Sequence, residues 1–285
     1  MEIQRASEMG FCFGVRRALD LVWKAIAERG NIQSLGAIVH NQKVVYDMEQ
    51  LGVTVADNLD AVTSDTVVVT SHGIGPEVTR QIRDRGIEIV DTTCPHVKKA
   101  QDIARRLAQD GYSILIFGDE GHPEVKGLLG WSGGRGYAVM STDDLPEQIG
   151  GKIGIISQTT QSPDNYTSFV KNVFSSVSDI SEYRVFSTIC EATRHRLAAA
   201  LELSGKVDVM IVIGGSSSAN TKRLAETCLS QGVPTYHIEQ ADQLRSAWFN
   251  TSSKVGITAG ASTPDVVIDS VIEQLRSIDG VAGSR

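Results

Sequence analysis

Thr93-Cys94-Pro95-His96-Val97-Lys98-Lys99-Ala100-Gln101 follows a plan that the chain uses three times. Cys12-Phe13-Gly14-Val15-Arg16-Arg17-Ala18-Leu19 comes before it, and Cys190-Glu191-Ala192-Thr193-Arg194-His195-Arg196-Leu197 after it. Each copy places basic residues four and five positions past its cysteine, then runs on with the apolar spacing of an amphipathic helix. Upstream of Cys94 and Cys190 the chain reads as strands, over residues 87–90 and 183–186. These two cysteines mark turns from strand to helix, and Cys12 stands in an equivalent place.

Spacing extends the repeat. His40 lies 28 residues past Cys12, His122 lies 28 past Cys94, and Ser218 lies 28 past Cys190. Strands are predicted at 34–39, 53–56, 66–70 and 87–90, then at 113–117, 137–140, 152–156 and 183–186, then at 208–213 and 254–258. Helical segments alternate with them, which calls for parallel sheets. The chain reads as three quasi-equivalent α/β units, 12–93, 94–189 and 190–285, each a small mainly parallel sheet flanked by helices. The last unit lacks a final strand, and the N-terminal segment 1–11, with its strand at 1–5, is placed to supply it. Ligands of parallel sheets bind beyond the carboxyl ends of the strands. The loops there hold His40, His72, His122, Glu124, Thr160, Ser218, Asn220 and Ser262. Three such units facing inwards would bring these residues and the three cysteines to one centre.

Composition narrows the class. Of 285 residues 41% are hydrophobic and 21% charged, an ordinary globular balance. No apolar run reaches about 18 residues, so no membrane span is expected. The opening residues lack the apolar core of a secretory signal, which points to the cytoplasm. A net charge of −7 argues against nucleic acid as the main partner. In that compartment four cysteines suggest metal binding or catalysis before disulfides.

Three thiols near helix N-termini, where the dipole favours thiolate, suit a soft metal or an iron–sulfur cluster. A zinc site with three cysteine ligands satisfies the same pattern. Either way one coordination position stays open, the mark of a catalytic centre. Cys228, inside a helical pattern away from the repeat, reads as a core residue. His40, His72, Ser218, Asn220 and Ser262, with nearby glycine amides, are donors of the kind that hold phosphate oxygens. Glu124 stands at a helix start, a favourable place for any acid. In redox or elimination chemistry a buried carboxyl there would be the natural proton donor, with Thr160 as a relay. His96 adjoins Cys94, whereas His195 and His237 read as structural. No dinucleotide or Walker motif is present, so nicotinamide, flavin and ATP sites are not expected. A non-redox hydratase or isomerase using an open metal as Lewis acid fits these residues too, as does an iron–sulfur sensor without turnover.

Gly-Phe-Cys12-Phe-Gly-Val, Val-His40-Asn, Ser-His72-Gly, Thr-Cys94-Pro, Gly-His122-Pro-Glu124, Ser-Gln-Thr-Thr160, Ile-Cys190 and Gly-Ala-Ser262-Thr-Pro occur in this order over nearly the whole chain. In this the chain resembles the LytB family of 4-hydroxy-3-methylbut-2-enyl diphosphate reductases. The resemblance implies a trefoil of three α/β units around a central [4Fe–4S] cluster held by Cys12, Cys94 and Cys190, with an open fourth iron. It implies reductive removal of the substrate's allylic hydroxyl as water, giving isopentenyl and dimethylallyl diphosphate at the end of the non-mevalonate isoprenoid pathway. Glu124 would supply protons and Thr160 would help to orient the hydroxyl. His40, His72, Ser218, Asn220 and Ser262 would hold the diphosphate, with His122 beside it and the backbone amide of Ala219 adding a donor. Electrons would come from a ferredoxin or flavodoxin. One departure stands out: the family usually reads Ser-Ser-Asn where this chain has Ser218-Ala219-Asn220. Whether the chain acts as a monomer or a homodimer is not written in the sequence.

Overall fold

The computed structural model describes residues 1–147, 149–249 and 254–282; the last residues of the third expected unit, 283–285, lie outside them. In chain order the elements are β1 (Glu2–Arg5), α1 (Phe13–Arg29), β2 (Ile32–Leu35), α2 (Gln42–Gln50), β3 (Val53–Ala56), β4 (Thr66–Val69), α3 (Pro76–Asp84) and β5 (Glu88–Asp91). Then come α4 (Pro95–Gln109), β6 (Ser113–Phe117), α5 (Pro123–Trp131), β7 (Gly136–Val139), β8 (Gly151–Ser157), α6 (Pro163–Ser176) and β9 (Ile180–Val185). The chain ends with α7 (Glu191–Ser204), β10 (Val209–Ile213), α8 (Ala219–Ser230), β11 (Thr235–Ile238), β12 (Lys254–Ala259) and α9 (Asp265–Ala282). None of the described helices is long and apolar enough to cross a membrane.

The strands form three four-stranded sheets, every pairing parallel. Their orders are β3-β2-β4-β5, β7-β6-β8-β9 and β11-β10-β12-β1. In the third sheet β1 therefore takes the edge that β5 and β9 take in the other two. Its register runs from Glu2 opposite Lys254 to Arg5 opposite Ile257. Central strands buried on both faces need continuous apolar runs. Thr66–Val69, Ser113–Phe117 and Val209–Ile213 supply them, with Ile114, Leu115, Ile116, Met210, Ile211, Val212 and Ile213 all fully buried.

By contacts the chain divides into two compact units. One comprises Met1–Val15, Val39–Val44 and Glu191–Arg285, and the other Arg16–Ile38 and Val45–Cys190. The first holds the β1-containing sheet. On one side β10 and β12 pack under α9 through Val267, Ile268, Val271 and Leu275. On the other they meet α7 and α8 through Leu197, Leu203, Leu224 and Cys228. The second unit holds the other two sheets. A close crossing joins them: Gly75 faces Gly130 on α5, where an added Cβ would meet the opposing Cα at 3.1–3.5 Å, and Trp131 Nε1 donates to Ile74 O at 3.0 Å.

The strand expected at 34–39 ends early, and β9 begins three residues ahead of its expected start. The run 34–39 reads as a strand, but β2 covers Ile32–Leu35. Gly36 adopts φ +80° and turns its N–H to Ala56 O at 2.9 Å, which takes the chain out of the ladder. Ile38 and Val39 are buried all the same, so the apolar pattern marks core residues on an irregular segment.

Candidate active site

Each cysteine is fastened in the same way. Cys94 N donates to Ser71 O at 3.0 Å, Cys190 N to Thr159 O at 3.0 Å, and Cys12 N to Ala261 O at 3.1 Å. The three acceptors each lie two residues past a sheet's third strand, β4, β8 and β12. Two residues before the cysteine the anchor also recurs. Thr92 Oγ1 donates to Val69 O at 2.7 Å, and Thr188 Oγ1 to Ser157 O at 2.5 Å. In the first copy that place belongs to Gly10 at φ +75°, whose carbonyl accepts from Arg196 Nη2 at 2.6 Å. An added Cβ there would press on Asp265 and Ile268 at 3.2 Å. All three cysteines are half-buried and outside any disulfide, each just ahead of a helix; Cys12 Sγ accepts the N–H of Val15 at 3.4 Å. Cys228 differs: it is fully buried in α8 among apolar side chains, and burial pushes its thiol up to about 11.

In the larger unit the acid, two histidines and two threonines are ordered by β4, β6, β8 and the start of α5. Glu124 is 1% exposed in the first turn of α5. Desolvation raises its pKa from 4.5 to about 7, against the pull of two hydrogen bonds. Both bonds come from Thr159: its N–H reaches Oε1 at 2.6 Å and its hydroxyl reaches Oε2 at 2.8 Å. Thr160, the expected relay, instead accepts from Gln158 Nε2 at 2.9 Å. His122 caps α5, its Nδ1 accepting Glu124 N–H at 3.1 Å. That bond leaves the proton of the neutral ring on Nε2. His72 Nδ1 pairs with Thr70 Oγ1 at 3.3 Å, and its ring meets that of His122 edge-on at 5.3 Å between centroids.

In the other unit His40, Ser218, Ala219, Asn220 and Ser262 gather around the start of α8. Ser218 is the N-cap, its hydroxyl taking Thr221 N–H at 3.3 Å, and α8 begins at Ala219. The first-turn amides of a helix have no intrahelical acceptors, so those of Ala219 and Asn220 point outward as donors. Asn220 is 6% exposed and its Nδ2 has no hydrogen-bond partner. A buried amide donor left open is costly unless a ligand takes it. Ser262 Oγ donates to His40 O at 3.2 Å. Burial first, and the charge of Lys222 second, lower the pKa of His40, so the ring is neutral at pH 7. Gly215 packs against the His40 carbonyl so closely that any Cβ would collide with it.

Three contributors escaped the sequence reading. Thr159 sits beside the threonine that was singled out. Lys222 occupies the fourth position of α8, the helix position that the cations after the cysteines also take, and that match was its one signal. Asn41 caps α2 by accepting Val44 N–H at 3.2 Å. The expected structural histidines have local partners: His237 Nε2 contacts Gly214 O at 2.8 Å, and exposed His195 lies 3.4 Å from Glu191.

Fold and residues define an α/β enzyme built on three parallel sheets, whose strand-end loops carry half-buried thiols, phosphate-type donors and a buried acid. The family model for LytB proteins matches residues 3–276, and the chain belongs to that family. It is 47% identical over 280 residues to the 4-hydroxy-3-methylbut-2-enyl diphosphate reductase of Dehalococcoides mccartyi strain CBDB1, covering 96% of this chain and 98% of that one. The Geobacter metallireducens protein of the same name is 44% identical over the full length of both chains. Among solved structures, the reductase of Plasmodium falciparum superposes with a TM-score of 0.89 at 26% identity, over 96% of this chain and 87% of that one. Another, described as the terminal enzyme of the non-mevalonate pathway, gives 0.70 at 36% identity over 97% and 100%.

Proposed function

We propose that the chain reduces (E)-4-hydroxy-3-methylbut-2-enyl diphosphate, the substrate its relatives' names give, to isopentenyl and dimethylallyl diphosphate. Two electrons and two protons enter, and the allylic hydroxyl leaves as water. The single observation that carries this reading is Glu124, a fully buried acid poised near pH 7 at the mouth of a parallel sheet. Proton transfer is most effective from a group whose pKa lies near the working pH.

The donor set fits a three-cysteine [4Fe–4S] group, because the three half-buried thiols share one backbone anchor and Cys228 is withdrawn into the core. Cys12, Cys94 and Cys190 would hold it, and when bound it would supply electrons and Lewis acidity. Every other task falls to the chain's own groups. Glu124 gives its proton to the departing oxygen, and Thr159 keeps both carboxylate oxygens in a fixed orientation. Thr160 orients the hydroxyl from the same loop. His72 and His122 present Nε2, while neutral His40, Ser218, Asn220, Ser262 and the Ala219 amide donate to the diphosphate. We take the units 12–93, 94–189 and 190–285 with 1–11 as copies of one plan. A ferredoxin or flavodoxin in the cytoplasm serves as electron donor.

The test is anaerobic purification with iron and sulfide assays, a visible spectrum, and turnover of the substrate with and without a one-electron reductant. Product formed only with reductant, by a brown protein with about four irons per chain, is the expected result. A colourless zinc protein, or turnover without electrons, overturns the proposal.

A further inference from the structure

The cations that follow the cysteines have no task in this chemistry. The first turn of a helix attracts acids and disfavours cations. Helices α3, α5, α6, α7 and α9 comply, with Glu77, Glu124, Asp164, Glu191 and Asp265 there. Helices α1 and α4 do the reverse: residues 13–19 and 95–101 contain Arg16, Arg17, Lys98 and Lys99 and no acid. In the larger unit Arg16 and Arg17 of α1 share one surface with the start of α4, because Arg17 Nη1 donates to Thr93 O at 3.3 Å, beside the N-cap of α4. Arg16, Lys98 and Lys99 are exposed. Lys98 is 46% exposed while bonded to Asp91 at 2.6 Å, and Asp102 is engaged by Arg105 at 2.8 Å. A basic face thus stands on a chain whose net charge is −7.

We propose that the N-terminal halves of α1 and α4 form the docking face for a small acidic protein that delivers one electron at a time. The proposal rests on the reductase reading, which needs two electrons from outside the chain. An acidic carrier is repelled by a net charge of −7 and attracted where Arg16, Arg17, Lys98 and Lys99 gather, so charge complementarity favours this face. Position serves the same end, since Lys98 and Lys99 lie one helical turn past Cys94. The carrier is oxidised by one electron at each of two visits. Together they supply the pair consumed as two protons enter and the hydroxyl departs as water.

The experiment compares the wild-type holoenzyme with Arg16→Glu/Lys99→Glu, using two reductants, a reduced acidic ferredoxin and reduced methyl viologen. Affinity for oxidised ferredoxin is measured alongside. At low salt the double variant should raise both KM and Kd for ferredoxin about tenfold, with the gap closing as salt is added. Its viologen-driven rate should stay within about twofold of wild type. Unchanged ferredoxin constants would overturn the proposal. So would a parallel fall in both rates, which would make the cations supports of the metal centre. Wild-type protein that binds ferredoxin through these residues but turns over with neither reductant would leave the docking face standing and remove the reductase reading.

Discussion

Replacing Thr159 with valine keeps the backbone N–H that reaches Glu124 Oε1 and deletes the hydroxyl that reaches Oε2. A hydrogen bond to a charged group contributes about 1.5–3 kcal/mol, and about 1.36 kcal/mol corresponds to one pH unit. Removing it should lift the Glu124 midpoint from about 7 by a further one to two pH units, to about 8–9. The protonated fraction at pH 7 would rise from about half to above nine-tenths. The assay is an infrared titration of the protonated carboxyl band, assigned by subtracting Glu124→Gln, alongside the alkaline limb of the rate profile. Both should move upward together, since the proton donor stays loaded to higher pH. A midpoint that stays near 7, or falls, would refute the account of Thr159 as the group that holds down a carboxyl raised by burial.

Other outcomes follow from the same geometry. Glu124→Gln should abolish turnover while leaving iron content and diphosphate affinity unchanged, which metal analysis and calorimetry would check. The folded pKa of Glu124 lies above the ordinary 4.5, so its proton is held more tightly in the folded state and stability falls as pH rises from about 4.5 through about 7. That fall, about 3 kcal/mol in size, should be missing from Glu124→Gln, whose melting temperature should exceed the wild type's at pH 8 and match it near pH 4. Asn220→Ala should weaken diphosphate binding about 10- to 100-fold, and Ala219→Ser should strengthen it by up to about tenfold, both read by competition with inorganic diphosphate. Cys228→Ala should leave iron and sulfide content untouched; loss of iron in that variant would displace Cys12, Cys94 and Cys190 as the ligand set.

Much of this was legible in the sequence because it rests on spacing. The 28-residue offset from cysteine to loop residue places His40, His122 and Ser218 each just past the first central strand of its sheet, β2, β6 and β10, whereas the backbone anchors at Ser71, Thr159 and Ala261 lie past β4, β8 and β12 at unequal offsets and follow the shared topology instead. The segment 34–39 was not legible as a turn, because Gly36 can leave a ladder without changing the apolar pattern around it. Thr159 and Thr160 could not be told apart either. Adjacent residues of an irregular loop point in different directions, and no period says which one meets Glu124. The open amide of Asn220 likewise becomes visible only when its neighbours are in place.

The edge position of β1 sets an order of events during synthesis. Glu2 pairs with Lys254, so the strand made first waits for one made about 250 residues later. At about 5–20 residues per second that wait lasts roughly 12–50 s. Cys12 is held by the carbonyl of Ala261 and shares the delay, whereas Cys94 and Cys190 find their anchors on segments already made. Under the proposed three-thiol ligation, a prosthetic group could be seated only once β12 had been made and had paired with β1.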